Sequence, residues 1–229
     1  MAELTDSPGP RVAAGRVVRP ARPLGLADVL DQRAYERARD AYRAEVIALK
    51  RRRRVAVGPL VSAVFECFDT VRFQVHEMAR AEHILTDEGI QSELDTYNGL
   101  LPVAGELSAT VFLELTTPED LRRWLPELVG VEGSLVFELS PVGESGPGFA
   151  VRGVPEAAHA EALTRDEVTA AVHYVRFPFS PAEVDAFARG RAALAVRHRA
   201  YQAVAELADA TRDELLADLR GECFPLPLP

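Results

Sequence analysis

Leu107-Ser108-Ala109-Thr110-Val111-Phe112-Leu113-Glu114-Leu115 is the stretch on which the fold turns. Leu107, Ala109, Val111, Leu113 and Leu115 share one side, and Ser108, Thr110, Phe112 and Glu114 the other. Alternation of this kind lays one face of a strand on a core. Thr117-Pro118-Glu119-Asp120 follows, a capping residue with proline at the tolerated first helical position, and predicts a helix towards Leu128. Ser134 to Leu139 reads as a short strand, which Phe149 to Val154 joins across a glycine-rich turn. Val168 to Phe179 reads as a long strand, Ser180-Pro181-Ala182-Glu183 as a capping box opening a short helix, and Ala192 to His198 as a further strand. The order is β-α-β, then β-α-β, which is that of split βαβ sheets. The expected fold is α+β, an antiparallel sheet with a ferredoxin-like core flanked by N-terminal helices and a C-terminal helix.

Working outward, Tyr35, Ala38, Tyr42, Val46 and Leu49 fall on one stripe of a helix. That helix ends in the basic run 50–54, where positive charge suits the negative end of the dipole. Val55 to Phe68 reads as a hairpin turning at Gly58-Pro59. Val71 to Leu85 reads as a helix, and Asp87 to Tyr97 as a second that stops at Asn98-Gly99. Tyr201, Val204, Ala208, Thr211, Leu215 and Leu219 have the spacing of a last helix. The expected organisation is a mobile leader (1–24), one domain (25–221) and a proline-rich tail (222–229). Within the domain, 25–99 is mainly helical, 105–198 ferredoxin-like and 200–221 the C-terminal helix.

Twenty-six basic against 35 acidic residues give a net charge of −9, which supplies no overall field to recruit phosphates. Nucleic-acid and anionic-membrane binding are therefore not expected. The two cysteines, Cys67 and Cys223, form neither a disulfide framework nor a CxxC pair, and a reduced, cytoplasmic setting is expected. No GxxxxGK[ST], GxGxxG, GxSxG or HExxH occurs, which removes the usual nucleotide-dependent, serine-hydrolase and zincin readings.

The densest group of potential ligands is His76-Glu77-Met78-Ala79-Arg80-Ala81-Glu82-His83. His76 and His83 lie two turns apart, about 10 Å along the axis, too far to share one ion unaided. A solvated Glu/Arg/His face explains the stretch as well. His173 shares a strand face with Val175, Phe177 and Phe179, so it is either a bonded core histidine or a ligand facing a pocket. His198 reads as structural or capping, and His159 carries no role. Glu66 and Glu114 sit on strands beside apolar residues and need either arginines, such as Arg72 and Arg176, or a cation.

Three stretches carry a resemblance: Val46 to Pro59 with its basic run, Phe73-Gln74-Val75-His76-Glu77-Met78 through Glu82, and Glu93 to Asn98. With Ala171 to Phe177 and His198 to Tyr201, they resemble the bacterial domain-of-unknown-function family thirty-five-oh-one over roughly residues 26 to 220. Gln74, Glu77, Met78, Glu82, Tyr97, Asn98, His173 and Arg176 match its pattern, and His76 stands where an aliphatic residue is usual. The resemblance implies a redox setting, since relatives are often encoded beside rubrerythrin-like and iron–sulfur proteins. The leading expectation is a metal-dependent redox or oxygenase-type protein holding iron or manganese and acting on a small molecule. Glu77, Glu82 and His173 would be ligands with Glu114 a possible fourth, and Tyr97 and Arg176 would orient substrate. The rival is a non-enzymatic accessory protein for a rubrerythrin-like or iron–sulfur partner, with its polar groups paired to arginines and an apolar patch exposed. A third reading, a metal-free enzyme on a small acidic metabolite, would capture anions with Arg176 and the 50–54 run.

Overall fold

The alternation at Leu107 to Leu115 becomes the centre of the larger of two sheets. A computed structural model describes residues 11–13, 16–20, 22–140, 148–156, 168–223 and 225–226. In chain order these give β1 (Arg11–Ala13), β2 (Arg16–Pro20), α1 (Gln32–Arg52), β3 (Arg54–Val57), β4 (Val61–Phe65), α2 (Phe68–Ala81) and α3 (Asp87–Tyr97). Then come β5 (Glu106–Leu113), α4 (Pro118–Glu127), β6 (Leu135–Ser140), β7 (Phe149–Arg152), β8 (Val154–Pro155) and β9 (Val172–Pro178). α5 (Pro181–Arg189), β10 (Arg191–His198), β11 (Tyr201–Glu206), α6 (Asp209–Leu219) and β12 (Glu222–Cys223) complete the chain.

The strands form three antiparallel sheets, in the orders β3-β4-β5-β9-β8, β11-β10-β6-β7 and β1-β2-β12. The first two pack face to face. Leu107, Val111, Val175 and Phe177 of one meet Leu135, Phe137, Leu194 and Val196 of the other. Phe137 lies 4.9 Å from Phe177, nearly edge to face, and 5.6 Å from Phe65. Such aromatic pairs add to the roughly 2 kcal/mol that burying each ring contributes.

Two joints close this layer pair. Gly153 separates β7 from β8 and passes the chain from one sheet to the other; a Cβ there would meet Val175 Cγ1 at 2.6 Å. At the opposite edge the Tyr201 hydroxyl donates to Val57 O at 2.6 Å and accepts from Leu60 N at 3.2 Å. Helices α1, α2 and α3 form a separate layer with two small clusters. Val71, Val75 and Leu94 make one, and Tyr35, Tyr42 and Val46 the other.

The expected α+β class and antiparallel pairing are present, but the four strands of the expected βαβ pairs do not share one sheet. β5 pairs antiparallel with β9, and β6 with β10, in different sheets. The long strand begins at Val172 instead of Val168, and α2 spans Phe68–Ala81 instead of 71–85. The helix expected from Tyr201 starts only at Asp209. Tyr201–Glu206 is a strand because Tyr201, Ala203 and Ala205 alternate inward while its backbone pairs with β10. Within the stretch read as a leader, β1 and β2 join β12 in the third sheet. Residues 1–10, the glycine-rich turn at 141–147, His159 and residues 227–229 lie outside the described residues.

Candidate functional site

Glu77 projects from α2 towards α1, where Arg39 grips both its oxygens at 2.8 Å through Nε and Nη2. The Tyr35 hydroxyl donates to the same carboxylate at 2.9 Å, and Arg80 Nε does so at 3.3 Å. Arg39 beside it holds the Glu77 carboxyl down at about 2, while burial and that hydrogen bond push the Tyr35 phenol above its usual range. Glu82 is the exposed cap residue ending α2; burial, and after it the Glu82 charge, raises the pKa of Glu93 on α3. Glu114 is exposed and bonded by Arg54 Nη1 at 2.7 Å and by the Ser62 hydroxyl.

His173 lies inside the sheet pair, 3% exposed. Its Nε2 faces the Ala170 carbonyl at 2.8 Å, and a carbonyl only accepts, so this nitrogen carries the proton. Nδ1 is left facing Glu132 Oε2 at 3.9 Å, an enclosed oxygen that makes no hydrogen bond among the described residues. Burial lowers the His173 pKa, and the Glu132 charge opposes that shift.

The expected ligands therefore do not converge. Glu77 faces α1, Glu82 caps α2 near α3, Glu114 follows β5 at the surface, and His173 sits on the core side of β9. Among the described residues no three of His, Cys, Asp and Glu gather in a way that could hold a metal. As placed, this set does not fit iron or manganese, because the four residues lie at separate places in the fold, with Glu77 held by Arg39, Tyr35 and Arg80 and one oxygen of Glu114 held by Arg54 and Ser62.

Arg176 reaches the turn that follows Tyr97, where it pairs with Glu106 and donates to the carbonyls of Gly99 and Leu101, while Tyr97 packs beside the Val71, Val75 and Leu94 cluster. This guanidinium clasps the end of α3 to β9. The basic run is likewise consumed by structure. Arg52 pairs with Glu214 at 3.0 Å, Arg53 is buried against Asp218 and donates to Phe65 O and Glu66 O, and Arg54 takes Glu114. Lys50 lies 5.9 Å over the Phe73 ring. Glu66 accepts from the hydroxyls of Thr70 and Thr110, not from Arg72. His198 Nε2 donates to Val129 O at 3.1 Å.

A concave feature lies elsewhere. A cleft of about 540 Å³ opens between the turn at 26–28, the start of α1, the end of α2 and the start of α3. Leu26, Val29, Leu30, Ile84, Leu85 and Ile90 line it, with Arg33, Arg80, Tyr35 and His76. His76 is 2% exposed and stacked on Tyr35 at 4.5 Å. Its Nδ1 donates to Arg72 O at 2.8 Å, and its Nε2 accepts the Leu30 N–H at 2.9 Å. Burial drops its pKa to about 4, which suits a ring that must accept at Nε2. Sequence reasoning missed this cleft. Its one local signal is Ile84-Leu85, an apolar pair just past the helix, with Leu85 74% exposed.

Residues 23–219 match the family described as Protein of unknown function (DUF3501). The chain belongs to that family. A solved structure from Burkholderia pseudomallei, described as a novel protein of unknown function, is 32% identical with a TM-score of 0.76. The similarity covers 86% of this chain and 100% of that one, so the DUF3501 fold is shared at nearly full length. No curated protein matches the chain. Among the described residues no helix of this DUF3501 protein is long and apolar enough to cross a membrane.

Proposed function

We propose that this DUF3501 protein is a non-enzymatic binding protein whose cleft takes a small, largely apolar molecule. The contrast between acids and cleft carries the reading: Glu77, Glu106 and Glu114 are each tied to an arginine, whereas about 540 Å³ of mostly apolar concave space stays open. That volume is within the range of small-molecule sites, roughly 300–1,000 Å³. Arg33, with Asp31 and Asp87 on the same lining, favours a ligand with one polar, hydrogen-bonding end.

Anilinonaphthalene sulfonate, an apolar probe with one anionic group, tests the cleft. Its fluorescence should rise saturably at one site per chain, octanoate should compete, and Ile84→Glu should abolish the signal without changing the fold. Failure of the wild-type protein to bind either probe overturns the reading. Near-stoichiometric iron or manganese, retained by protein grown in supplemented medium, would also overturn it, in favour of the metal-dependent redox or oxygenase-type reading. Stable capture of a rubrerythrin-like or iron–sulfur partner with no probe binding would make the accessory role one of protein docking.

A further inference from the structure

The last described residues, Pro225 and Leu226, return to the helical layer. β12 pairs with β2 through Glu222↔Pro20 and Cys223↔Arg19, and three residues past Cys223 the Leu226 side chain packs on the Tyr35, Tyr42 and Val46 cluster. Both backbone polar groups of Leu226 are read by side chains. Its N–H donates to Asp69 Oδ2 at 2.8 Å, and its carbonyl accepts from Arg72 Nη2 at 2.8 Å.

The two reading groups are also held by contacts of their own, apart from Leu226. Asp69 and Arg72 pair at 2.7 Å near the start of α2, their side chains only 3% and 4% exposed. Arg72 Nε donates to the Tyr42 hydroxyl at 2.9 Å, and its guanidinium lies 5.2 Å over the Tyr42 ring and 5.5 Å over Phe68. Little side-chain freedom remains for this clasp to lose when a peptide seats, which favours binding.

The occupant has a matching chemistry. In Pro225-Leu226-Pro227-Leu228-Pro229 only the two leucines carry an N–H, and prolines on both sides hold the backbone of Leu226 extended. Such a segment offers one donor, one acceptor and one apolar side chain at low ordering cost, the economy used in proline-rich recognition by aromatic-lined surfaces. Leu226 is only partly buried, so its seat is open to exchange.

We propose that Asp69, Arg72, Tyr42 and Val46 form a recognition site for a proline-flanked leucine, and that the chain's own tail is its resident, displaceable occupant. The site is separate from the cleft, and the proposal does not rest on small-molecule binding there. A tethered tail competes at an effective concentration of about millimolar, so an outside peptide must be in excess to replace it.

The test uses the 229-residue chain, labelled with nitrogen-15 at leucine, and the free peptide Phe-Pro-Leu-Pro-Leu-Pro. The Leu226 amide should start at a dispersed position and move, saturably, to its random-coil position as peptide is added. In the double variant Leu226→Asp with Leu228→Asp, which leaves no proline-flanked leucine at the end of the chain, the same peptide should bind about tenfold more tightly or better, because no resident competes. A peptide with glycine for each proline should bind far more weakly. The proposal is overturned if wild-type Leu226 does not respond at millimolar peptide, or if the glycine peptide displaces it equally. It is also overturned if the folded double variant does not bind. Should that variant fail to fold, Leu226→Ala with Leu228→Ala serves in its place.

Discussion

The Leu30 backbone N–H donates to Nε2 of His76 at 2.9 Å, across 46 residues of sequence. That bond requires a neutral ring, since Nδ1 already spends its proton on Arg72 O. The His76 pKa sits at about 4 in the fold against an ordinary 6.5, with burial the largest cause. The unfolded chain therefore binds the proton more readily than the fold does. Stability from this group is complete above about pH 6.5 and is lost as pH falls towards 4, by roughly 3 kcal/mol in all. Chemical denaturation at stepped pH should show that decline in the wild type. His76→Gln, which can still accept from Leu30 and donate to Arg72, should flatten it over the same window. Leu30 lines the cleft, so probe binding should weaken along with stability.

A lower window belongs to Glu77. Arg39 holds its carboxyl at about 2, below the ordinary 4.5, so its contribution is present above about pH 4.5 and disappears as pH falls towards 2. Glu77→Gln removes it at every pH and leaves Arg39 and Arg80 facing a neutral amide. A melting temperature several degrees lower at neutral pH, with bound iron and manganese the same as in the wild type, is the expected outcome. A loss of bound metal instead would restore Glu77 to a ligand set.

Parts of this architecture are legible locally. α3 follows from Thr86 as its cap and Asn98-Gly99 at its end, and the Ser180–Glu183 capping box forms as read. β11 is not legible, because Tyr201, Val204, Ala208 and Thr211 satisfy a helical period while Tyr201, Ala203 and Ala205 satisfy a strand period. Only pairing with β10, which no local pattern encodes, decides between them. The division into two sheets is non-local in the same way. At the site, the acids and arginines are visible in sequence, but their pairing is not: Glu77 meets Arg39 across 38 residues and Glu114 meets Arg54 across 60. An acid near apolar residues reads alike whether a cation or a guanidinium answers it. The cleft is harder still to see, because it is the space left between four segments.

Arg53 joins the end of α1 to β4 and α6. It is 1% exposed, donates to Phe65 O at 2.8 Å and Glu66 O at 3.0 Å, and pairs with Asp218. Arg53→Met should destabilise the chain by about 3–5 kcal/mol, because Asp218 would keep a buried charge with its main partner gone. The double variant Arg53→Met with Asp218→Leu should recover much of that loss in urea unfolding. Simple additivity of the two single losses would mean that the pair is not coupled.

Gly153 carries the chain between the two sheets, its N–H donating to Leu135 O at 2.9 Å. An added Cβ would lie 2.6 Å from Val175 Cγ1 and 3.0 Å from Phe177 Cε1, both on the fully buried side of β9. Neither neighbour can yield freely, because Phe177 is itself packed 4.9 Å from Phe137. Gly153→Ala should therefore cost about 1–3 kcal/mol through overpacking. Adding Val175→Ala removes the closer of the two obstructing atoms, so the pair should cost less than the sum of the single variants. Equilibrium denaturation of all three variants checks this. A Gly153→Ala protein as stable as the wild type would show that the crossing needs no close backbone approach.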